Sequence, residues 1–245
     1  MDFTSLAPFS TVLDAAYSVV LAFAELLNPI AGAMSAALAV VLITVIVRAL
    51  LIPVGVSQVR AEYTRRRLAP KLAELRRRFS KNPELLQRKT MALYAEEKAS
   101  PLAGCLPLLL QAPVLSTVYA LFAFAVINGH ANVLLDDSFL GTALGDSLVA
   151  AVSSGAGFLA HALVMGVIAV VAFLSRLVAI RFAASAPVVG DIPGALAPDG
   201  PLSWLAFATV VVAAVVPLAA ALYLAVSTSW TLGERVILRR VLASG

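Results

Sequence analysis

Charge, cysteine and histidine are all scarce in this chain of 245 residues. Only 13% of its residues are charged while 61% are hydrophobic, and the mean hydropathy is +0.95. That composition cannot cover a water-soluble globule of this size, so the class is a polytopic membrane protein. The single cysteine, Cys105, excludes an intramolecular disulfide and any cysteine-based metal cluster. No nucleotide-binding glycine-rich loop is present, so a nucleotide is not expected as an energy source; no cofactor, metal or enzymatic activity is expected. The start, Met1-Asp2-Phe3, lacks a positively charged region, so no cleavable leader is expected.

The charge that is present is concentrated. Arg60, Arg65, Arg66, Arg67, Lys71, Arg76, Arg77, Arg78, Lys81, Arg88, Lys89 and Lys98 fall between two long apolar segments. Lys/Arg-rich loops stay on the cytoplasmic side of a membrane, so this stretch fixes the orientation of the whole chain. The formal net charge of +4 is explained by that bias, and nucleic acid is not expected as a direct substrate.

The expected architecture is all-α: a five-span helical bundle with a cytoplasmic helical hairpin and an N-terminal interfacial helix. Residues 1–29 form an outer interfacial segment broken at Asn28-Pro29. The first span covers 30–56, ends near Pro53 and leads into the hairpin, 57–100. There Leu68, Leu72, Leu75 and Phe79 recur at helical steps, and Asn82-Pro83-Glu84 supplies an N-cap, a first-turn proline and a first-turn acid. Leu86, Leu93 and Tyr94 lie on the second arm; the alternative is a charged loop resting on the headgroups. The second span is 101–127, opened by Gly104 to Val114, and 128–157 is an outer loop with acids but no Lys or Arg. The third span is 158–182, and a proline- and glycine-rich cytoplasmic loop occupies 183–201.

The last apolar stretch, 202–238, reads as two spans folded at Pro217. A single crossing would place Arg235, Arg239 and Arg240 outside, against the basic bias. Each arm is short beside the ~20 residues that cross ~30 Å of hydrocarbon, which implies local thinning of the bilayer. Residues 239–245 form a cytoplasmic tail. The localisation is the cell membrane, with the N-terminus out and the C-terminus in.

Arg48 lies in the apolar run 42–52 with no acidic residue near it in sequence. A charge near mid-bilayer costs roughly 2.5–3.5 kcal/mol on insertion scales, and such residues face a hydrated cavity or a partner. Snorkelling to the inner headgroups is the other explanation. Glu25 and Glu234 lie only at segment ends, so Arg48 reads as a receptor for an incoming anion rather than half of an ion pair. Thr44, Gln111, Tyr223, Ser227, Thr228, Ser229, Trp230 and Thr231 could line the same cavity. Ser and Thr in such helices commonly bond back to their own helix, and Trp230 and Tyr223 could equally be interface anchors. His161 reads as a packed or interfacial histidine.

The run from Val45 to Pro53, the basic hairpin and the segment Gly104 to Val114 closely resemble the YidC family of membrane protein insertases. Lys71-Leu72-Ala73-Glu74-Leu75, Asn82-Pro83, Leu93-Tyr94, Pro217, Leu222-Tyr223 and Ser227 carry the resemblance, which extends from about Asn28 to Arg240 and is to the short form without the large outer domain. It implies a hydrated groove open to the cytoplasm and the inner leaflet, in which Arg48 receives polar parts of a nascent membrane protein. The charged hairpin, with Arg65, Arg66, Arg67, Arg76, Arg77 and Arg78, would serve recruitment. The implied partners are nascent membrane proteins and the lipid bilayer, with the ribosome and the Sec translocon as candidates. Leu224, Thr228 and the Ser175-Arg176 pair depart from the family's pattern and affect the fine lining of the groove. The rival readings are an anion transporter or channel using Arg48, and a membrane scaffold with a docking hairpin.

Overall fold

The computed structural model describes residues 7–97, 99, 106–127, 129–155, 158–184 and 200–243. Cys105 and most of the loop at 183–201 lie outside the described residues. The chain is mostly helical. Two helical stretches among the described residues are long and apolar enough to cross a membrane, Ser10–Leu50 and Leu159–Ala183.

Helix α1, Ala7–Ala31, buries Leu13, Tyr17, Val20 and Ala24 at helical spacing. It runs straight through Asn28-Pro29, where a break is predicted. A proline so near the end of a helix removes one hydrogen bond and leaves little helix beyond it to disrupt. The break comes at Gly32, whose φ of +52° turns the chain in a conformation that favours glycine. Helix α2, Ser35–Leu50, follows. Asp137 Oδ2 starts it by accepting from Ser35 Oγ and from Ala36 N–H, both at 2.7 Å, an acid at the positive end of a helix.

After a one-residue break at Leu51, α3 (Ile52–Arg78) opens with Pro53 in its first turn and carries the basic arm. Helix α4, Pro83–Glu96, returns. Asn82 caps it by accepting the Leu85 N–H at 3.0 Å. The arms bury Leu68 and Leu93, with Leu72, Leu75 and Phe79 half-buried beside them. Glu97 closes the base of the pair, accepting from Lys71 at 2.5 Å and Arg67 at 2.8 Å. The Lys71 hydrogen bond first, then the charges of Lys71 and Arg67, hold its carboxyl below the ordinary carboxylate range.

Helix α5, Leu106–Ala123, stops four residues short of the predicted end of the second span. Val126–Ile127 (β1) leaves the helix to pair with His130–Ala131 (β2) in a small hairpin around Gly129. The buried Asn132 makes that exit possible. Its amide donates to the carbonyls of Leu121 (2.5 Å) and Phe124 (2.9 Å), and its oxygen accepts the Leu134 N–H, which satisfies carbonyls orphaned at the helix end. A second hairpin, Ser138–Phe139 (β3) with Thr142–Ala143 (β4), turns through Leu140 and Gly141, both at positive φ. A short helix α6, Leu148–Ser153, precedes α7, Leu159–Ala184.

The final apolar stretch is broken at Pro217, with Val216 extended before it. Its first arm is a 3-10 segment, Pro201–Phe207, running into α8, Ala208–Val215. The larger rise of a 3-10 segment lets so few residues reach about 26 Å. The second arm, α9 (Leu218–Ala243), is 26 residues long, longer than the short arm expected. It is the central helix: Leu218 to Ala225 are buried throughout, packed on α2, α5, α7 and α8. The alanines among them permit close backbone approach. Large apolar residues such as Leu26, Ile30, Phe158, Val170 and Val215 point outward.

Contacts sort the molecule into two ends. At one, the Leu218 and Ala219 N–H groups donate to the carbonyls of Asp146 (2.9 Å) and Leu144 (3.0 Å). His161, fully buried, lies 3.2 Å from the same Asp146 carbonyl, and Asp137 caps α2. At the other end, Glu62 of α3, Phe182 of α7 and Arg239 of α9 meet.

Candidate functional site

Helices α2 and α3 run parallel to α9 and meet it at three successive levels. Arg48 touches Ser227, Gly55 lies against Glu234, and Glu62 pairs with Arg239. Seven residues are close to two turns, so Glu234 lies on the same face of α9 as Ser227, whereas Arg239, five residues further, lies round to the side. Ser227 and Glu234 therefore face the same seam as Arg48 and Gly55.

At the first step Arg48, half-buried, donates from Nε to Ser227 Oγ at 3.0 Å and from Nη2 to the same oxygen. Ser227 is 1% exposed. The remaining hydroxyls bond back along their own helices: Thr44 to Val40 at 2.6 Å, Thr228 to Leu224 at 2.7 Å, Ser229 to Ala225 at 2.7 Å and Thr231 to Ser227 at 2.9 Å. Of the predicted lining residues, the structure joins Arg48 and Ser227. Thr44 sits one turn away, buried, and Tyr223 is buried in the core one turn before Ser227. Trp230 is half-buried on the next turn. The side chain of Gln111 lies outside the described residues.

Arg48 is not remote from acid, as its sequence neighbourhood suggests. The Glu234 carboxylate lies within electrostatic reach of it. The acid is 186 positions away in sequence and arrives only through the packing of α9. Among the described residues, Glu234 Oε1 and Trp230 Nε1 are both buried without a hydrogen-bond partner.

The third step is a knot that the sequence did not disclose. Arg239 donates to Glu62 Oε2 from Nε (3.1 Å) and Nη2 (2.8 Å). Tyr63 donates its hydroxyl to the Arg239 carbonyl at 3.1 Å. The ring of Phe182 lies between two guanidinium groups, Arg66 at 3.4 Å and Arg239 at 3.8 Å, with Tyr63 edge-on at 5.7 Å. Burial first, and then the like charge of Arg239, push the Arg66 guanidinium down from its ordinary value, while Tyr63 and Glu62 act the other way.

The six arginines predicted as one docking set therefore divide. Arg66 is built into the bundle. Arg67 is exposed and pairs with Glu97, Arg65 is half-buried, and Arg76, Arg77 and Arg78 are exposed at the tip of α3. Arg176 bonds Ser203 Oγ at 3.0 Å and stacks on Trp204 at 4.5 Å, fastening α7 to the start of the last apolar stretch.

The chain that builds this seam and basic helix pair has relatives. The profile of the 60Kd inner membrane protein family matches residues 26–244. The chain belongs to that family. A relative from Clostridium perfringens, named membrane protein insertase YidC, is 38% identical over 81 residues, which is 33% of this chain and 34% of that protein. Relatives of the same name from Histophilus somni and Pasteurella multocida are each 42% identical over 94 residues, or 38% of this chain and 17% of theirs. The chain thus spans about a third or less of the curated relatives it matches. The match covers the end of α1 and all of α2–α9, the seam and the basic helix pair included.

Proposed function

We propose that this protein is a membrane insertase that moves short polar segments of nascent membrane proteins across the bilayer. The observation that carries the reading is Arg48, a half-buried cation on an apolar helix held by the hydroxyl of Ser227. Such a group can attract a carboxylate or carbonyl-rich segment and, in a hydrated groove, release it again. Insertion requires no bond chemistry. A polar segment in hydrocarbon leaves backbone groups unsatisfied at several kcal/mol each, and a hydrated groove reaching part-way along α2 and α9 shortens that dry path. The short first arm before Pro217 thins what remains. Partitioning of the client's own apolar spans supplies the driving force.

The test is depletion of the protein from cells followed by assay of a single-span client. Insertion should fall at least severalfold and return on re-expression. Unchanged insertion would remove the reading.

The topology belongs to the same proposal: five spans (α2 with the start of α3, α5, α7, the 3-10/α8 arm, and α9), the N-terminus outside and the C-terminus in the cytoplasm. It is supported by the meeting of Asp137, Asp146, His161 and the Pro217 turn at one end, and of Glu62, Phe182 and Arg239 at the other. All the basic residues of α3 and α4 then lie on the cytoplasmic side. A reporter fused after Arg240 is expected to be cytoplasmic and one inserted beside Pro217 to be outside. An external C-terminus would overturn the arrangement. The exposed arginines at the hairpin tip, Arg76 to Arg78, remain the candidates for recruiting a ribosome or the Sec translocon.

A further inference from the structure

Glu234 lies seven residues beyond Ser227 on α9, on the same face of the helix. Its carboxylate rests against Gly55 so closely that a Cβ there would overlap it. Oε1 is buried and unpartnered, a costly condition for a carboxylate oxygen that calls for a use. The cations within its reach are Arg48 and Arg235. Arg235 is exposed, on the side chain's own helix, whereas Arg48 acts on it from α2, where it is bonded to Ser227 two turns before Glu234 on α9.

We propose that Glu234 is the resting counter-charge of Arg48 and sets its selectivity, so that an acidic client segment must outcompete Glu234 for the guanidinium. This rests on the insertase reading above. Between clients, Glu234 offsets part of the cost of a cation at membrane depth. When a client carboxylate comes closer to Arg48 than Glu234 does, it takes over that role, and Glu234 keeps Arg235 as its neighbour. Exchange of one carboxylate for another leaves the net charge of the seam nearly constant, so the client is held weakly and can leave. Gly55 provides the seat, since any side chain there would push the carboxylate away from the position it now holds.

The experiment uses the full chain reconstituted in phospholipid vesicles. Two single-span clients differ only in a short translocated tail, rich in Asp in one and in Asn in the other, and insertion is scored by protease protection. Glu234→Gln is expected to raise the acidic-to-neutral insertion ratio about threefold to tenfold, the effect of removing one partly screened competing charge. Glu234→Asp should stay near the wild-type ratio. Gly55→Ala retains the charge but displaces the carboxylate, and should move the ratio upward too. It also covers the case in which Glu234→Gln fails to fold. An unchanged or lowered ratio in the folded variants would overturn the proposal. If Arg48→Ala lowers the ratio in the same assay while Glu234→Gln leaves it alone, only the counter-charge role falls. If neither moves it, the groove reading falls as well.

Discussion

Arg48→Ala is expected to cut insertion of clients with acidic translocated tails about tenfold while neutral-tailed clients stay within about twofold. A hydrogen bond to a charged group contributes roughly 1.5–3 kcal/mol net, and 1.4 kcal/mol is a factor of ten. The neutral tail loses only a dipolar contact. Arg48→Lys keeps the positive charge and should retain much of the activity, although it loses the forked geometry with which Nε and Nη2 share Ser227 Oγ. Folding is a separate matter. Ser227 is buried, but its hydroxyl can turn back to its own helix as its neighbours do, so the cost in stability should be about 1 kcal/mol. The measurement is the client pair scored by protease protection at matched protein abundance. Equal loss for both tails, or loss only through degraded protein, would make Arg48 a structural residue.

The second large effect is expected at Phe182. Its ring carries the stacked guanidinium groups of Arg66 and Arg239 and so joins α3, α7 and α9 at their common end. Each cation–π contact contributes roughly 0.5–2 kcal/mol depending on how far it is desolvated. Phe182→Ala removes both at once and leaves two like charges sharing the single carboxylate of Glu62. Local opening of the basic arm should then rise at least about tenfold. Tryptic cleavage around residues 60–67 reads that opening directly, because cleavage tracks the population of the open form when reclosing is fast. Phe182→Trp keeps an aromatic face and should protect nearly as well as the native residue. The Glu62–Arg239 pair is only partly exposed, at 31% and 13% of the side chains, so moderate salt should not mimic the substitution. Cleavage at the native rate in Phe182→Ala would show that the arm is held elsewhere.

How much of this was legible depends on how local the cause is. The Asn82-Pro83 start of α4 could be read from three residues, because a cap is formed by neighbours in sequence. The fold at Pro217 was legible for the same reason, since proline removes a backbone donor wherever it stands. Asn28-Pro29 misled because the same proline chemistry has little effect in a last turn, and the turn belongs to Gly32. Gln111 and Cys105 fall where the structure gives no side-chain description.

The sequence by itself determined the membrane class, the helical pattern and the basic bias, because composition, periodicity and charge distribution are properties of the chain, and its motifs resemble those of the family to which it belongs. Only the tertiary structure decided which groups meet. Arg48 and Ser227 are 179 positions apart, and no local pattern links them. The acid absent from the sequence neighbourhood of Arg48 is Glu234, brought within electrostatic reach by the parallel packing of α9 on α2 and α3. Arg66 looked like one more docking cation and is instead stacked on Phe182. The physical reason is common to all three. Side-chain electrostatics and stacking act over a few ångströms through space, and only helix packing brings residues so far apart in the chain within that range.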